Sequence, residues 1–396
     1  MMLRKSLVLI AAAVSICLYS KPVDASTARA IGHRSTDQND PAKGYACPPR
    51  SVIEAELGTA SRSLEQAQYQ DAIDILKSQS LVKCDPRASL LLGAVLEAED
   101  NLPAAEQALQ EGHAIWPADD SIAASLAREY LSSGQTEEAL QALAHFHATA
   151  STRLQEMQLA AVVYLTANKL LLAQAVAETA YQSYPSMDTL LLLANVLQLE
   201  GKYTTVIHLL GSNRATYANS AKFLITLAES EYDATMWASA RRDIERAISL
   251  DGSLFQAHYI LGNVLVRQGD LDKAISEYHE AIKLAPGEPR TYFHLALVYR
   301  TKNDTDDEEH ALEQALAAND QYAPAHSELG RILIEQGRFE DAVNHLKLAV
   351  QYNPNSEQAY FLLVRAYAKL GEKDEAEEMV KRLMAVRKAN RRGQVK

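Results

Sequence analysis

The sequence contains few of the residues that interrupt helices. It has 16 glycines and 12 prolines in 396 residues, too few for a fibrous or linker-like chain. Alternating runs of valine, isoleucine and threonine, the pattern of β-strands, are also scarce. Alanine, leucine, glutamine and glutamate dominate instead, and most of them favour helices. Because 47% of the residues are hydrophobic, the composition predicts a folded and largely helical protein.

The sequence also lacks the short motifs that mark common enzymes. It has no G-x-S-x-G, no phosphate-binding glycine-rich loop, no H-E-x-x-H and no C-x-x-C. Its 11 histidines are scattered, and the isolated pair His145 and His147 is too small a set for a metal site. The sequence therefore predicts a protein that is not an enzyme and that uses no metal or cofactor.

Long apolar runs are missing everywhere except at the amino terminus. There, Arg4 and Lys5 precede an apolar stretch that runs from Ser6 to Tyr19. Small residues follow at a cleavage position that ends with Ala25, and a second such position ends with Ala30. This order is typical of a secretory signal peptide, here residues 1–25. The protein is therefore expected to be exported, to the periplasm or the extracellular space if its source is bacterial.

Cysteine is rare, with three residues in the chain. Cys17 lies within the apolar stretch, and a lipoprotein signal that modifies it is the weaker alternative, because Ile16 stands where a small residue is needed.

Removing residues 1–25 takes three basic residues and one acidic residue from totals of 39 and 51, which leaves a net charge of −14. Such a chain is expected to bind no nucleic acid, and no later segment is apolar enough to span a membrane.

A pattern with a period of about 34 residues recurs through the rest of the chain. Residues 255–288 and 323–356 align with each other, and their starts are two periods apart. Within each period, apolar residues recur at helical spacing, and this predicts two helices joined by a short turn. The ten predicted repeats start near residues 53, 86, 120, 154, 187, 221, 255, 289, 323 and 357.

Small residues mark two positions of each repeat where two helices are expected to approach closely. The eighth position is Gly or Ala in eight of the nine repeats from the second onward, and the twentieth position is Ala in most of them. The eighth-position residues are Gly93, Ala127, Ala161, Ala194, Ala228, Gly262, Ala296, Gly330 and Val364. The twentieth-position residues are Ala105, Ala139, Ala173, Val206, Ala240, Ala274, Glu308, Ala342 and Ala376.

The fifteenth position indicates the end of the first helix. Gly adopts a left-handed backbone conformation easily and Asn does so best among the other residues. These residue types occupy the position in seven repeats, as Gly134, Asn168, Gly201, Gly269, Asn303, Gly337 and Gly371. Proline follows at the thirty-second position of four repeats, where the second helix must stop, as Pro117, Pro185, Pro286 and Pro354.

These landmarks resemble the tetratricopeptide repeat, a helix–turn–helix unit of about 34 residues. The resemblance covers residues 53–390. It implies an all-α fold, an α-solenoid in which the helix pairs form a right-handed superhelix. It leaves residues 26–52 as a flexible leader that is rich in turn-forming residues, and residues 391–396 as a basic tail.

Three places depart from the repeat pattern. Repeat 1 has Ala67 where the turn favours Gly or Asn. In repeat 5, Gly211 is expected to shorten the second helix and to create a hinge near residues 211–220. In repeat 8, an acidic run over residues 303–309 places Glu308 where Ala is usual. A solvated turn is expected there, because the run lacks the glycine and the ligand spacing of the alternative, a calcium loop.

Cys47 and Cys84 remain after signal cleavage. Two cysteines in an oxidising compartment suggest a disulfide, and two unpaired thiols are the alternative. The repeat geometry that the resemblance implies favours the bond, since Cys47 precedes the first helix and Cys84 lies in the loop after the second. Both therefore lie at the same end of repeat 1, and the bond would tie that repeat to the array.

By resemblance, ligands contact the second, fifth, sixth, ninth, twelfth and thirteenth residues of each repeat, on a concave face made by the first helices. Six cations with aromatic neighbours fall on this face in the last repeats, which suits a protein or peptide partner that is acidic. Ordinary surface charges paired with Glu328 and Glu335 are the alternative. The predicted contact residues are Asn195, Lys222, Tyr232, Tyr259, Asn263, Arg267, Arg290, Phe293, Arg300, Arg331, Arg365 and Lys369.

The sequence thus predicts a non-enzymatic scaffold or adaptor that holds a segment of a partner protein in the concave groove. The alternative is a regulatory or substrate-presenting subunit of a separately encoded envelope enzyme or export complex. Chaperone-binding members of the family clamp a carboxylate with Lys and Asn, but Tyr259 stands where that Lys is needed. Members attached to sugar-transferring enzymes carry a ladder of Asn, for which only Asn195 and Asn263 are counterparts.

Overall fold

A computed structural model describes residues 47–78 and 81–393 of the chain. The predicted signal peptide lies outside the described residues, as do residues 26–46 of the predicted leader and residues 394–396. The described residues form 21 helices and no strand. The predicted all-α fold class, an α-solenoid of helices in tandem, is confirmed.

The chain divides into two compact halves, Met1–Val206 and Ile207–Lys396. The amino-terminal half contains α1 (Arg50–Glu65), α2 (Tyr69–Lys77), α3 (Leu81–Cys84), α4 (Pro86–Ala98), α5 (Leu102–Ile115), α6 (Asp120–Ser132), α7 (Thr136–Ala142), α8 (Leu154–Thr166), α9 (Leu170–Ser183) and α10 (Met187–Leu199). The boundary falls within α11 (Tyr203–Tyr217). The carboxyl-terminal half continues with α12 (Ala221–Asp233), α13 (Trp237–Leu250), α14 (Phe255–Gln268), α15 (Leu271–Leu284), α16 (Pro289–Thr301), α17 (Thr305–Ala318), α18 (Ala323–Glu335), α19 (Phe339–Tyr352), α20 (Glu357–Leu370) and α21 (Lys373–Gly393).

The helices follow one another in pairs, and the first helix of a pair packs chiefly against the second, as α14 does against α15. From α4 onward, every first helix begins at the residue where a repeat of the sequence starts. The two ends of the array differ from the predicted bounds. The first helix begins at Arg50, before residue 53, and the last continues to Gly393, past residue 390. None of the described helices combines the length and apolar character that crossing a membrane requires.

A left-handed residue ends the first helix of each pair. Ten described residues have a positive φ, between 55° and 84°, and all of them stand at the fifteenth position of a repeat. They are Ala67, Asp100, Gly134, Asn168, Gly201, Thr235, Gly269, Asn303, Gly337 and Gly371. The turn therefore keeps its backbone conformation even at Ala67 and Thr235, whose side chains disfavour it.

Glycine at the eighth position allows the two helices of a repeat to approach closely. A Cβ atom added to Gly93 would stand 3.0 Å from Leu109, and one added to Gly330 would stand 2.5 Å from Leu346. Both leucines occupy the twenty-fourth position of their repeats and lie in the buried core. The small residues at this position are thus explained by the bulky side chain on the facing helix.

The predicted shortening of the second helix in repeat 5 is wrong. Helix α11 runs without a break from Tyr203 to Tyr217 and includes Gly211. A Cβ atom added to Gly211 would meet nothing within 4 Å. Glycine lowers the stability of an exposed helix by roughly 0.5–1 kcal/mol relative to alanine, which is too little to end a helix by itself.

The irregular repeat in the structure is the third one, which the sequence did not single out. Its second helix, α7, ends at Ala142 after 7 residues, whereas the second helix of repeat 2 has 14. A segment of turns and irregular backbone then leads to Leu154. Leu143 and Phe146 in this segment are buried, so their side chains cover the core where the missing helical turns would otherwise lie.

A disulfide joins Cys47 to Cys84, with their Cα atoms 5.7 Å apart. Cys84 is the last residue of the single-turn helix α3, which stands between repeats 1 and 2. The adjoining Arg87 forms ion pairs with Glu54 on α1 and with Asp85, both at 2.7 Å. The disulfide therefore ties the segment before α1 to the helix that follows α2, and the Arg87–Glu54 ion pair links the first repeat to the second.

Candidate partner-binding site

The predicted contact residues of repeats 6–10 lie on the first helices α12, α14, α16, α18 and α20. Successive first helices contact each other directly, as α12 and α14 do, and likewise α18 and α20. We call the side chains at the predicted contact positions of these five helices the first-helix face. The remaining predicted residue, Asn195, lies partly buried on α10 in the amino-terminal half.

Tyr232 and Arg267 meet across two successive first helices. The Nε atom of Arg267 donates a hydrogen bond of 3.2 Å to the hydroxyl of Tyr232. The guanidinium carbon lies 5.9 Å from the centre of the tyrosine ring, within reach of a cation–π interaction. The predicted residues Tyr232 and Arg267 are therefore brought together by the fold.

A second cluster of predicted residues surrounds His294. The Tyr259 hydroxyl lies 3.3 Å from Nε2 of His294, and the guanidinium of Arg290 lies 5.8 Å from the centre of the Tyr259 ring. Phe293 packs edge-on against His294, with the ring centres 5.9 Å apart. Burial, and then the charges of Arg290 and Arg267, lower the pKa of His294 to about 4. The imidazole is thus neutral at pH 7, and the charge of this cluster comes from its arginines.

Asn263 is engaged in the core rather than on the surface. Its side-chain oxygen accepts a hydrogen bond of 2.8 Å from the hydroxyl of the buried Tyr278. Asn263 itself is buried. The structure therefore assigns this predicted contact residue to the packing of repeat 7, where it satisfies a polar group that would otherwise be unpaired.

Arg331 is held by three carboxylates of the same chain. Its Nε atom donates to Glu328 at 2.7 Å, and its Nη1 atom donates to Glu335 at 2.9 Å. Its Nη2 atom donates to Glu308, which is buried on α17 of the preceding repeat. Arg300 adds a bond of 2.8 Å to Glu328. Arg300 and Arg331 are therefore paired within the chain, as in the alternative of ordinary paired charges.

Residues 303–307 of the acidic run are exposed, as expected of a solvated turn, but Glu308 is buried. The run does start a helix, since Asp304 accepts a hydrogen bond from the backbone of Asp307 at 3.3 Å, and the neighbouring Asp306 is exposed. Glu308, in contrast, points into the contact with Arg331. The sequence shows an unusual Glu at one twentieth position and an Arg on the next first helix, but the repeat pattern does not show that the two residues pair.

Two carboxylates of the Arg331 cluster, Glu308 and Glu328, have pKa values shifted in opposite directions. Burial raises the pKa of Glu308, although the charge of Arg331 opposes this rise. Burial also acts to raise the pKa of Glu328, but hydrogen bonds from Arg331 and Gln358 and the charge of Arg300 lower it overall. Glu328 is thus firmly ionised at neutral pH, and its two arginines are held by a fixed negative charge.

Three predicted cations behave differently from these arginines. Lys222, Arg365 and Lys369 are exposed, and none of them makes a hydrogen bond or ion pair with its side chain inside residues 47–78 and 81–393. Arg365 and Lys369 share α20 with Phe361, which is 48% exposed.

Within the described part of the chain, no group of three or more His, Cys, Asp and Glu side chains is arranged to hold a metal ion.

Two family models, each described as a tetratricopeptide repeat, match the carboxyl-terminal part of the chain. One matches residues 304–348 and 333–394, and the other matches residues 253–321. These matches agree with the helix pairs and the regular turns of the fold. Residues 253–394 of the chain are tetratricopeptide repeats.

Curated relatives share part of this region. The tetratricopeptide repeat and J domain-containing co-chaperone of Cryptococcus neoformans is 26% identical over 197 residues, which is 48% of this chain and 32% of that protein. DnaJ homolog subfamily C member 3 of Mus musculus is 23% identical over 136 residues, 34% of this chain and 25% of that protein. The chain therefore spans about a third or less of the length of these relatives.

Solved structures show similar helix arrays at low identity. The yeast Tom70 structure has a TM-score of 0.46 and 14% identity, and the match covers 88% of this chain and 97% of that one. YrrB, described as a TPR protein with an unusual peptide-binding site, has a TM-score of 0.36 and 19% identity, with 45% of this chain and 91% of that one covered.

Proposed function

We propose that the chain is a non-enzymatic scaffold that binds a segment of a partner protein on the first-helix face of repeats 6–10. The observation that carries this proposal is the contact between side chains of successive first helices. Arg267 reaches Tyr232, and Tyr259 reaches His294, each across a repeat boundary. Aromatic rings and arginine side chains are thereby brought together across repeats 6–8, and both residue types are enriched at protein interfaces.

The proposed partner is a protein or peptide because the surface is extended along several repeats. A small ligand would be expected to occupy a closed pocket with a few convergent polar groups. Repeat arrays expose long surfaces that suit extended segments. The relative named as a co-chaperone supports a role in contact with other proteins, and the face of this chain suggests how such contact would be made.

We also propose that the protein acts outside the cytoplasm, in the periplasm or extracellular space if its source is bacterial. The predicted signal peptide over residues 1–25 supports this location. The Cys47–Cys84 disulfide supports it as well, because disulfides persist in oxidising compartments. Mass analysis of the protein isolated from its native host would test the proposal: a chain that begins at Ser26 is expected, and an intact chain that begins at Met1 would refute it.

Photo-cross-linking tests the proposed binding face. A photo-reactive amino acid is placed at residue 222, 293 or 365 on the first helices, and at residue 273 or 283 on α15, a second helix. The protein is irradiated in its native host. Discrete cross-linked partners are expected from the first three positions and not from the two on α15. Equal cross-linking from both sets, or cross-linking only from α15, would show that the partner binds elsewhere.

A further inference from the structure

The last first helix carries a stripe of exposed side chains that the rest of the chain leaves unused. Phe361, Arg365 and Lys369 follow one another at intervals of four residues along α20, so they lie on one side of the helix. All three are exposed. Neither cation is paired inside residues 47–78 and 81–393. We call these three residues the α20 stripe.

Other cations of the first-helix face are already engaged. Arg267 donates to the hydroxyl of Tyr232, and Arg290 donates to Glu288 at 2.9 Å. Arg300 and Arg331 are held by carboxylates. Lys222 is unpaired, but it is the only cation on α12. The α20 stripe is thus the place where two unpaired cations and an exposed aromatic ring occur on a single helix of this face.

Arg331 binds three carboxylates, and one of them also contacts α20. It binds Glu308, Glu328 and Glu335 at once. The cluster reaches α20 itself, where Gln358 donates a hydrogen bond of 2.9 Å to Glu328, and Gln358 is three residues before Phe361. Among the described residues, none of these three acids pairs with Arg365 or Lys369 further along the same helix.

We propose that the α20 stripe is the docking point for an acidic segment of the partner, in which an apolar side chain is followed by carboxylates. This inference rests on the proposed function. Phe361 offers an apolar contact, and the guanidinium of Arg365 matches a carboxylate with two parallel donors. Lys369 supplies a second charge one helical turn away. Arg331 acts as a positioning residue, because it withholds competing acids and makes no contact with the segment.

Charge complementarity favours a peptide segment over a nucleic acid. Two unpaired cations suffice for two carboxylates. A nucleic acid carries many phosphates and would meet an exported chain with a net charge of −14. The attraction between the two cations and the carboxylates of the segment is expected to weaken as salt is added, because exposed charges are screened.

Selection from a displayed library of random dodecapeptides tests the proposal. Three full-length proteins are compared: the wild type, Arg365→Ala/Lys369→Ala, and the control Lys273→Ala/Lys283→Ala. The control removes two exposed cations from α15 and so makes the same change in net charge. The wild type and the control are expected to enrich peptides in which an apolar residue neighbours Asp or Glu. The α20 variant is expected to lose this enrichment and to bind a selected peptide at least tenfold more weakly.

The outcomes separate the docking site from the proposed function. Peptides that bind the α20 variant as tightly as the wild type would overturn the docking site and leave the scaffold function in place. Enrichment of basic or uncharged peptides by the wild type would also overturn the docking site and leave the scaffold function in place. A failure of the wild type to enrich any peptide would count against both proposals. Binding of single-stranded DNA to the wild type, lost in the α20 variant, would replace the acidic segment with a nucleic acid.

Charge rescue tests the positioning role of Arg331. Arg331→Gln is expected to weaken binding of the selected acidic peptide at least threefold, since three carboxylates are released near the stripe. Adding Glu308→Gln, Glu328→Gln and Glu335→Gln to that variant is expected to restore the affinity. No rescue in a variant that circular dichroism shows to be folded would mean that Arg331 contacts the peptide directly, which would overturn this part of the proposal.

Discussion

Gly262 lies so close to Tyr278 that a Cβ atom added to the glycine would stand 2.7 Å from a ring carbon of the tyrosine. The ring is almost completely buried, and its hydroxyl donates to Asn263 on the same first helix as Gly262. The tyrosine is therefore fixed at both its ring and its hydroxyl. This contact sets the distance between α14 and α15 in repeat 7.

Gly262→Ala is expected to destabilise the protein. Overpacking of a core in this way typically costs about 1–3 kcal/mol, because the Tyr278 ring has no room to move away without losing its hydrogen bond. Urea unfolding followed by circular dichroism measures the change. The matched control is Gly211→Ala, which meets nothing within 4 Å and is expected to stabilise α11 by about 0.5–1 kcal/mol. Equal effects at both positions would contradict the role assigned to Gly262.

Thr235→Gly is expected to stabilise the protein. Thr235 has a φ of 63°, and a left-handed conformation costs a residue with a Cβ atom about 1–2 kcal/mol. Glycine removes this strain, and its larger entropy in the unfolded chain offsets part of the gain. The reverse change at the equivalent position, Gly269→Thr, is expected to destabilise the protein, since Gly269 has a φ of 84°. A rise in the urea midpoint for the first variant and a fall for the second would support the assignment.

The repeat register could be predicted from the sequence because small and turn-forming residues recur at fixed positions. Glycine or asparagine at the fifteenth position marks seven of the ten left-handed turns of the structure. The residue types of Ala67, Asp100 and Thr235 predict a left-handed turn only weakly or not at all. At these positions the packing of the two flanking helices imposes the left-handed backbone conformation. Gly211 illustrates the converse, because a glycine in an exposed helix does not by itself end that helix.

The charged contacts could be predicted only in part. A repeat pattern shows which residues share a face, and it assigned Tyr232, Tyr259 and Arg267 to the same one. The structure adds that Arg267 contacts Tyr232 and that Tyr259 contacts His294. The repeat pattern does not show which of several acids a given arginine binds, because that depends on side-chain rotamers and on the spacing of adjacent repeats. The division between the engaged Arg331 and the unpaired Arg365 therefore emerged only from the structure.

Reduction of the Cys47–Cys84 bond is expected to loosen the first repeat. The bond closes a loop with a sequence separation of 37 residues, and the chain-entropy estimate for such a loop is about 4 kcal/mol. Hydrogen exchange should therefore quicken in α1 and α2 after a reductant is added, and should stay unchanged in α18–α21. A Cys47→Ser/Cys84→Ser variant is the control, and it should exchange quickly with or without reductant. Unchanged exchange in α1 upon reduction would show that the Arg87 contacts suffice.

Glu231 and Asp243 form a buried carboxylate pair whose charges repel each other. Asp243 accepts hydrogen bonds from both terminal nitrogens of Arg214, one of them at 2.8 Å. Glu231 Oε2 is buried and has no hydrogen-bond partner among the described residues. Burial, and then the charge of Asp243, raise the pKa of Glu231 to about 7 from its ordinary value of 4.5. The protonated form of Glu231 is therefore favoured in the folded state up to neutral pH.

Glu231→Gln is expected to remove a pH dependence of stability. Because the folded pKa lies above the unfolded one, the contribution of Glu231 is fully present below pH 4.5 and is lost as the pH rises through about 7. The amide mimics the protonated acid, so the variant should be more stable than the wild type at pH 8. Urea unfolding between pH 5 and pH 8 measures this difference, with the exposed Glu245→Gln as control. A wild-type stability that rises over this interval, together with no gain in the variant, would contradict the raised pKa of Glu231.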